Sequence, residues 1–170
     1  MQAKARLDLK MKNSSLRCAI PADSGWLVDR QIELYQDEYG FDDSFGVLVG
    51  EIVHDFFSNF DPSREAGWIA EVAGAPVGSI FCTHLTDATA QLRLFFLMRK
   101  ARGTGLGRTM LRACMDFAKE AGYQDMRLWT HRSHTAACTL YRRFGWKCAE
   151  AEAAVSFGQQ EVIETYSYRF

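Results

Sequence analysis

The chain has 170 residues, 48% of them hydrophobic and 24% charged, with a formal net charge of -1. That length accommodates one domain with a full core and is short for two, and the near-neutral balance gives no overall pull towards nucleic acid or a membrane surface. The five cysteines are odd in number and contain no C-x-x-C pair, which argues against a disulfide framework or a zinc site and for small buried hydrophobes in a reducing compartment.

Residues 1–15, "MQAKARLDLKMKNSS", are polar and basic, without the apolar core of a secretory signal, and are expected to form a flexible N-terminal arm ahead of a domain over 16–170. No apolar run is long enough to span a bilayer, so a cytoplasmic protein with no membrane partner is expected. "LRCAIP" predicts a short strand stopped by Pro21. From Asp23 the apolar spacing predicts a helix ending near Gly40, with Asp23 or Ser24 as its N-cap. Phe45, Leu48, Val49, Ile52, Val53, Phe56 and Phe57 then recur at i, i+3, i+4, an amphipathic helix stopped at "DP".

The period changes after that stop. "AGWIAEVA" and "APVGSIFCTHL" predict two strands joined around Gly74, Ala75 and Pro76. "TAQLRLFFLM" predicts a third, whose centre is apolar on both faces, as in a central strand. Residues 105–121 predict a helix ended by Gly122, "DMRLWTH" a strand, and "HTAACTLYRRFG" a helix closed by Gly145. "KCAEAEAAVSFG" and "QEVIETYSYRF" complete a terminal β-ribbon. The order β-α-α-β-β-β-α-β-α-β-β makes one α/β domain, a mixed sheet with helices on its faces.

The segment "ARGTGLGRTML", Ala101 to Leu111, combines three glycines, flanking cations and a helix start, the combination that suits a bound phosphate. It is not a nucleotide P-loop, because no Lys follows the glycines. It fits the dinucleotide fingerprint poorly, because its spacing is G-x-G-x-G and no acid ends the next strand.

Arg102-Gly103-Thr104-Gly105-Leu106-Gly107 is similar to the Q/R-x-x-G-x-G/A signature of the GNAT superfamily of N-acetyltransferases. The resemblance runs on through the helix, "AGY", the strand, and a helix ending in Tyr-x-x-x-Gly-aromatic, here Tyr141 to Trp146. Outside that core, "GWLVDRQIELYQDEYGFDDSFGVLVGEIVHDF", "DPSREAGWIAE" and "SFGQQ" resemble the acetyltransferase half of bacterial fusions with a MarR-type DNA-binding domain, over about Arg17 to Phe170, without the DNA-binding half. The resemblance implies the GNAT fold, a twisted mixed sheet of about seven strands flanked by four helices, and acetyl-CoA as cofactor.

Residue by residue, it implies that backbone amides of Arg102, Gly103, Thr104, Gly105, Leu106, Gly107 and Arg108 hold the pyrophosphate of coenzyme A. The backbone of Phe95, Phe96 and Leu97 would pair with the pantetheine arm, and one of its amides would polarise the acetyl carbonyl. Tyr141 would protonate the departing thiolate. His131 stands where relatives often carry Asn and would hydrogen-bond the cofactor arm. Gln91 stands where some relatives carry a base glutamate and cannot take a proton. Glu38 is therefore the leading catalytic base, Glu71 the next, with a water chain as the other route. Tyr35, Tyr39 and Trp129 are candidates for the acceptor pocket. His131 and His134 form H-x-x-H with no third ligand, too little for a metal site.

The function implied is an acetyl-CoA-dependent N-acetyltransferase acting on a primary amine, small molecule or protein, by direct attack in a ternary complex. The alternative is a catalytically weak acyl-CoA sensor or interaction module. The acceptor is not named by the sequence, nor is direct nucleic-acid binding expected. A homodimer through the terminal ribbon stays open.

Overall fold

The structure, a computed structural model, describes residues 13–170. Its strands are β1 (Ser14–Cys18), β2 (Ala66–Val72), β3 (Ala75–His84), β4 (Thr89–Leu97), β5 (Asp125–His131), β6 (Lys147–Ser156) and β7 (Gln159–Arg169). They form a seven-stranded sheet in the order β1-β2-β3-β4-β5-β7-β6. Neighbours run antiparallel except β4 and β5, which are parallel. The helices are α1 (Ser24–Tyr39), α2 (Asp43–Asn59), α3 (Leu106–Glu120) and α4 (Thr135–Arg143). The mixed sheet and the element order are those expected from the apolar periods.

Several local expectations change. β1 opens at Ser14, inside the segment expected to be an arm, and residues 1–12 lie outside the described residues. Asp23 precedes α1 but its side chain caps nothing there. It accepts from the Ile20 amide and pairs with Arg17 instead. The β2–β3 turn is Ala73–Gly74 rather than Gly74 to Pro76, because both residues take positive φ (52° and 75°) and close a two-residue hairpin.

Two cores sit on opposite faces of the sheet. On one, α1 and α2 bury Leu27, Phe45, Val49, Val53 and Phe56 against Ile69, Phe81 and Phe96. On the other, α3 and α4 bury Leu106, Met110, Leu111, Cys114, Cys138 and Tyr141 against Ile80, Leu92, Met126 and Leu128. Each large apolar side chain removed from water contributes about 1.5–3 kcal/mol. The helix periods read from sequence thus fix which faces meet the sheet.

One irregularity positions the site. Between the pairs Phe81–Arg93 and Ser79–Phe96, β3 has one residue and β4 has two, Leu94 and Phe95. This is a β-bulge, with Leu94 at φ 48°. The buried Ser79 hydroxyl donates to the Leu94 carbonyl at 2.6 Å and holds it. Gly78, on the neighbouring strand, lies so close to the Phe96 carbonyl that no Cβ would fit. A bulge bends its strand, and β4 parts from β5 here: the two pair only over Thr89–Gln91 and Asp125–Arg127. Beyond Gln91 the β4 edge that faces β5 has no strand partner among the described residues.

Candidate active site

The gap between the diverging strands is the floor of a cavity of about 1110 Å³ that runs from the start of α3 to α1 and α2. Its lining includes the β4 backbone from Gln91 to Leu97, the β5 residues Leu128 to His131, and Tyr141 of α4. Phe95, Phe96 and Leu97 line this cavity along the open strand edge.

At one end stands the glycine loop. Gly103 (φ 70°) and Gly105 (φ 88°) adopt left-handed backbone that side chains disfavour, and Gly105 is the residue before α3. Among the described residues, the amides of Gly103, Thr104, Gly105 and Gly107 have no acceptor. The other three expected amides are taken: Arg102 donates to Arg99 O, Leu106 to Thr104 Oγ1, and Arg108 to Gly105 O. Gly103, Gly105, Gly107 and Arg108 line the cavity, whereas Thr104 and Leu106 are buried beneath it. Thr104 Oγ1 donates to Ala101 O at 2.7 Å, so this residue shapes the turn. The result is a patch of free donors at a helix N-terminus, which favours an anion.

Glu38 reaches the same loop from α1, and not as a free base. Its carboxylate accepts from Arg102 Nη1 and Nη2 at 3.0 and 2.8 Å and from Arg99 Nε at 3.0 Å. Burial pushes its pKa up, but the Arg102 and Arg99 hydrogen bonds outweigh that and hold the carboxyl below its ordinary value. Arg102 Nε also donates to Leu97 O at 2.9 Å, tying the loop to the end of β4. Glu71 is paired with Arg17 at 2.7 Å and does not line the cavity. A carboxylate held below its ordinary pKa by two guanidinium groups is a poor proton acceptor, which weakens the geometric case for Glu38 as base, and Glu71 stands outside the cavity.

Tyr141 is 4% exposed and packs near Phe95, Trp146 and Tyr166. Its hydroxyl makes no hydrogen bond among the described residues, and burial pushes its pKa well above the ordinary value, so it keeps its proton at neutral pH. The helix that carries it is anchored from below. Glu164 of β7 accepts from Arg132 Nε at 2.7 Å and from Tyr166 Oη at 2.9 Å, and lies 3.7 Å from Arg142 Nη2.

The far end of the cavity is aromatic. His134 stands over Tyr39 with ring centroids 4.2 Å apart and near Tyr35, Phe41 and His131. Its Nε2 is buried with no partner, and burial with the neighbouring His131 pushes its pKa down to about 4. His131 Nε2 bonds Ser156 Oγ at 2.9 Å, and burial lowers its pKa as well. Both imidazoles are neutral at pH 7. Tyr35, Tyr39 and Trp129 line the cavity. The described residues contain no cluster of three metal-ligating side chains, and no helix among them is long and apolar enough to cross a membrane.

One residue escaped the sequence reading. Arg93 sits in the apolar strand "LRLFFL", and its charge was the available signal. Because of the bulge, Arg93 and Leu94 both turn to the α2 side of the sheet, where Arg93 lines the cavity.

Residues 28–146 match the family model of the acetyltransferase (GNAT) family. The Xenopus tropicalis protein "Probable N-acetyltransferase camello" is 31% identical over 103 residues, covering 59% of this chain and 47% of the relative. N-acetyltransferase 8 of Rattus norvegicus is 31% identical over 99 residues, covering 55% and 45%. The chain thus spans about half the length of the curated relatives it matches. Among solved structures, yncA from Salmonella typhimurium, with its cofactor acetyl-CoA, superposes with a TM-score of 0.75 at 16% identity, covering 92% of this chain and 94% of that one. The ribosomal-protein-alanine N-acetyltransferase of Brucella melitensis gives 0.75 at 20% identity, covering 92% and 99%. Both likenesses establish the fold.

Proposed function

This chain belongs to the GNAT acetyltransferase family, and we propose that it transfers the acetyl group of acetyl-CoA to a primary amine while both substrates are bound. The observation that carries this is the continuity of one cleft: free loop amides at a helix N-terminus open directly onto an unpaired strand edge. An anion-binding patch joined to a row of free backbone groups suits a pyrophosphate followed by an amide-bearing arm. The fit is supported by Gly103 and Gly105, whose left-handed backbone bares the amides.

 Beneath them the Thr104 hydroxyl fixes the turn by its bond to the Ala101 carbonyl.

Acetyl-CoA supplies an acetyl thioester: the amine nitrogen bonds to the acetyl carbon, the carbon–sulfur bond breaks, and coenzyme A leaves as a thiolate that takes up, through water, the proton the amine gives up. The chain's own contributions follow from the cleft. The loop amides of Gly103, Gly105 and Gly107 bind the pyrophosphate, and the bulged β4 backbone at Leu94 to Phe96 offers a donor to the carbonyl oxygen. Tyr141 keeps its proton and donates a hydrogen bond to the sulfur as charge develops there. Its raised pKa makes complete transfer to a thiolate, whose pKa is about 8.5, uphill, so its help is modest.

We assign Glu38 to positioning the loop through Arg99 and Arg102. The incoming amine then loses its proton to water, because Gln91 cannot accept one. A thiol-release assay with acetyl-CoA and a panel of primary amines tests the proposal. Amine-dependent release of coenzyme A is expected, and release that no amine accelerates would contradict it.

A further inference from the structure

We propose that the acceptor amine carries a carboxylate beside an apolar body, and that Arg93 is the residue that recognises it. This rests on the acetyl-transfer reading of the cleft and adds the chemical class of the acceptor.

Arg93 is half-buried, yet among the described residues it makes no hydrogen bond and no ion pair. Asp55 of α2 is the acid whose field reaches it, from beyond ion-pair distance. Of the other cations that line the cavity, Arg102 is spent on Glu38, whereas Arg108 and Arg143, without an ion pair among the described residues, stand at the start of α3 beside the glycine loop and at the end of α4. A guanidinium withdrawn from water without a partner is costly unless a ligand completes it. Its planar fork matches a carboxylate, and one guanidinium on β4 matches one anionic group.

The apolar lining of the cavity that Arg93 enters defines the rest of the ligand. Leu48 and Ile52 of α2 and Trp129 of β5 line the same cavity, and Leu48 and Trp129 remain 38% and 48% exposed. Apolar side chains lining the same cavity as an unpartnered guanidinium on β4 fit an amphiphilic monoanion better than a polyamine or a sugar, which would need acids or many polar groups. Arg93 also lies two residues, about 7 Å of strand, from Phe95. An amine held at the bulge therefore places a carboxylate a few bonds away within the reach of Arg93. Amino acids with apolar side chains meet these requirements.

The test compares L-phenylalanine with phenethylamine, which differ by the carboxylate. The kcat/KM ratio should favour phenylalanine at least tenfold, as expected for a charge-assisted pair. It should fall to about one in Arg93→Gln and recover in part in Arg93→Lys, with thermal unfolding reporting that each variant is folded. Binding is measured independently of turnover by calorimetry on the protein saturated with coenzyme A, using N-acetyl-L-phenylalanine and N-acetylphenethylamine. Preference for the carboxylate that Arg93→Gln abolishes supports the inference, even if no amine is acetylated and the transfer reaction itself is refuted. Equal binding of the two probes, binding of neither, or a preference that survives Arg93→Gln overturns it.

Discussion

Replacing His134 with Phe should make the protein less sensitive to mild acid. The imidazole is packed against Tyr39 and Tyr35, with Nε2 buried and unpartnered, so the folded state disfavours its charged form. Its pKa is pushed down to about 4, whereas an unfolded histidine titrates near about 6.5. The unfolded chain binds the proton first, so stability is full above about pH 6.5 and is lost as the pH falls towards about 4. Across that window the loss is about 3 kcal/mol, most of it by about pH 4.5. His131, whose pKa is also lowered, adds to the slope in the same direction. Phe keeps a ring against Tyr39 and removes the proton site. Urea unfolding of both proteins at pH 7.5 and 4.5 measures the effect. The wild type should lose about 2–3 kcal/mol more than His134→Phe between these values. Equal losses would show that His134 is hydrated or hydrogen-bonded in the folded protein, and would refute the desolvation argument.

Gly105→Val puts a branched side chain at φ 88°, a cost of about 1–2 kcal/mol, beside the loop amides. Calorimetry should show coenzyme A affinity reduced more than tenfold, and unchanged affinity would place the pyrophosphate elsewhere. Tyr141→Phe removes a hydroxyl with no protein partner, so folding should persist while kcat falls about ten- to a hundredfold. A normal kcat would make Tyr141 a packing residue alone. For Glu38→Gln the shape of the kcat–pH profile should be retained, since the carboxylate is committed to Arg99 and Arg102. Loss of the limb that rises with pH would restore Glu38 as a base.

The fold was largely legible because its signals are local. The apolar stripes of α1, α2 and α3 and the glycines that end helices name the elements and their buried faces. The glycine loop could be located for the same reason, since three closely spaced glycines at a helix start are written consecutively. What the sequence hides depends on contacts between distant segments. Glu38 and Arg102 are 64 residues apart, and only folding shows that the expected base is spent on the loop. The β4 bulge depends on one extra residue opposite Ile80, and without it Arg93 and Leu94 would face opposite sides of the sheet. Which of the loop amides are free is likewise a matter of turn geometry: Arg102 and Arg108 donate within the turn, while Gly103, Gly105 and Gly107 do not.

The central claim is that the cleft between β4 and β5 holds acetyl-CoA with its pyrophosphate on the glycine loop. A crystal structure with coenzyme A tests it most directly. The account predicts pyrophosphate oxygens about 3 Å from the amides of Gly103, Gly105 and Gly107, with the pantetheine arm along Phe95 to Leu97. A pyrophosphate bound instead in a separate pocket lined by Arg112 and Lys119 of α3 and Arg143 of α4 would contradict it.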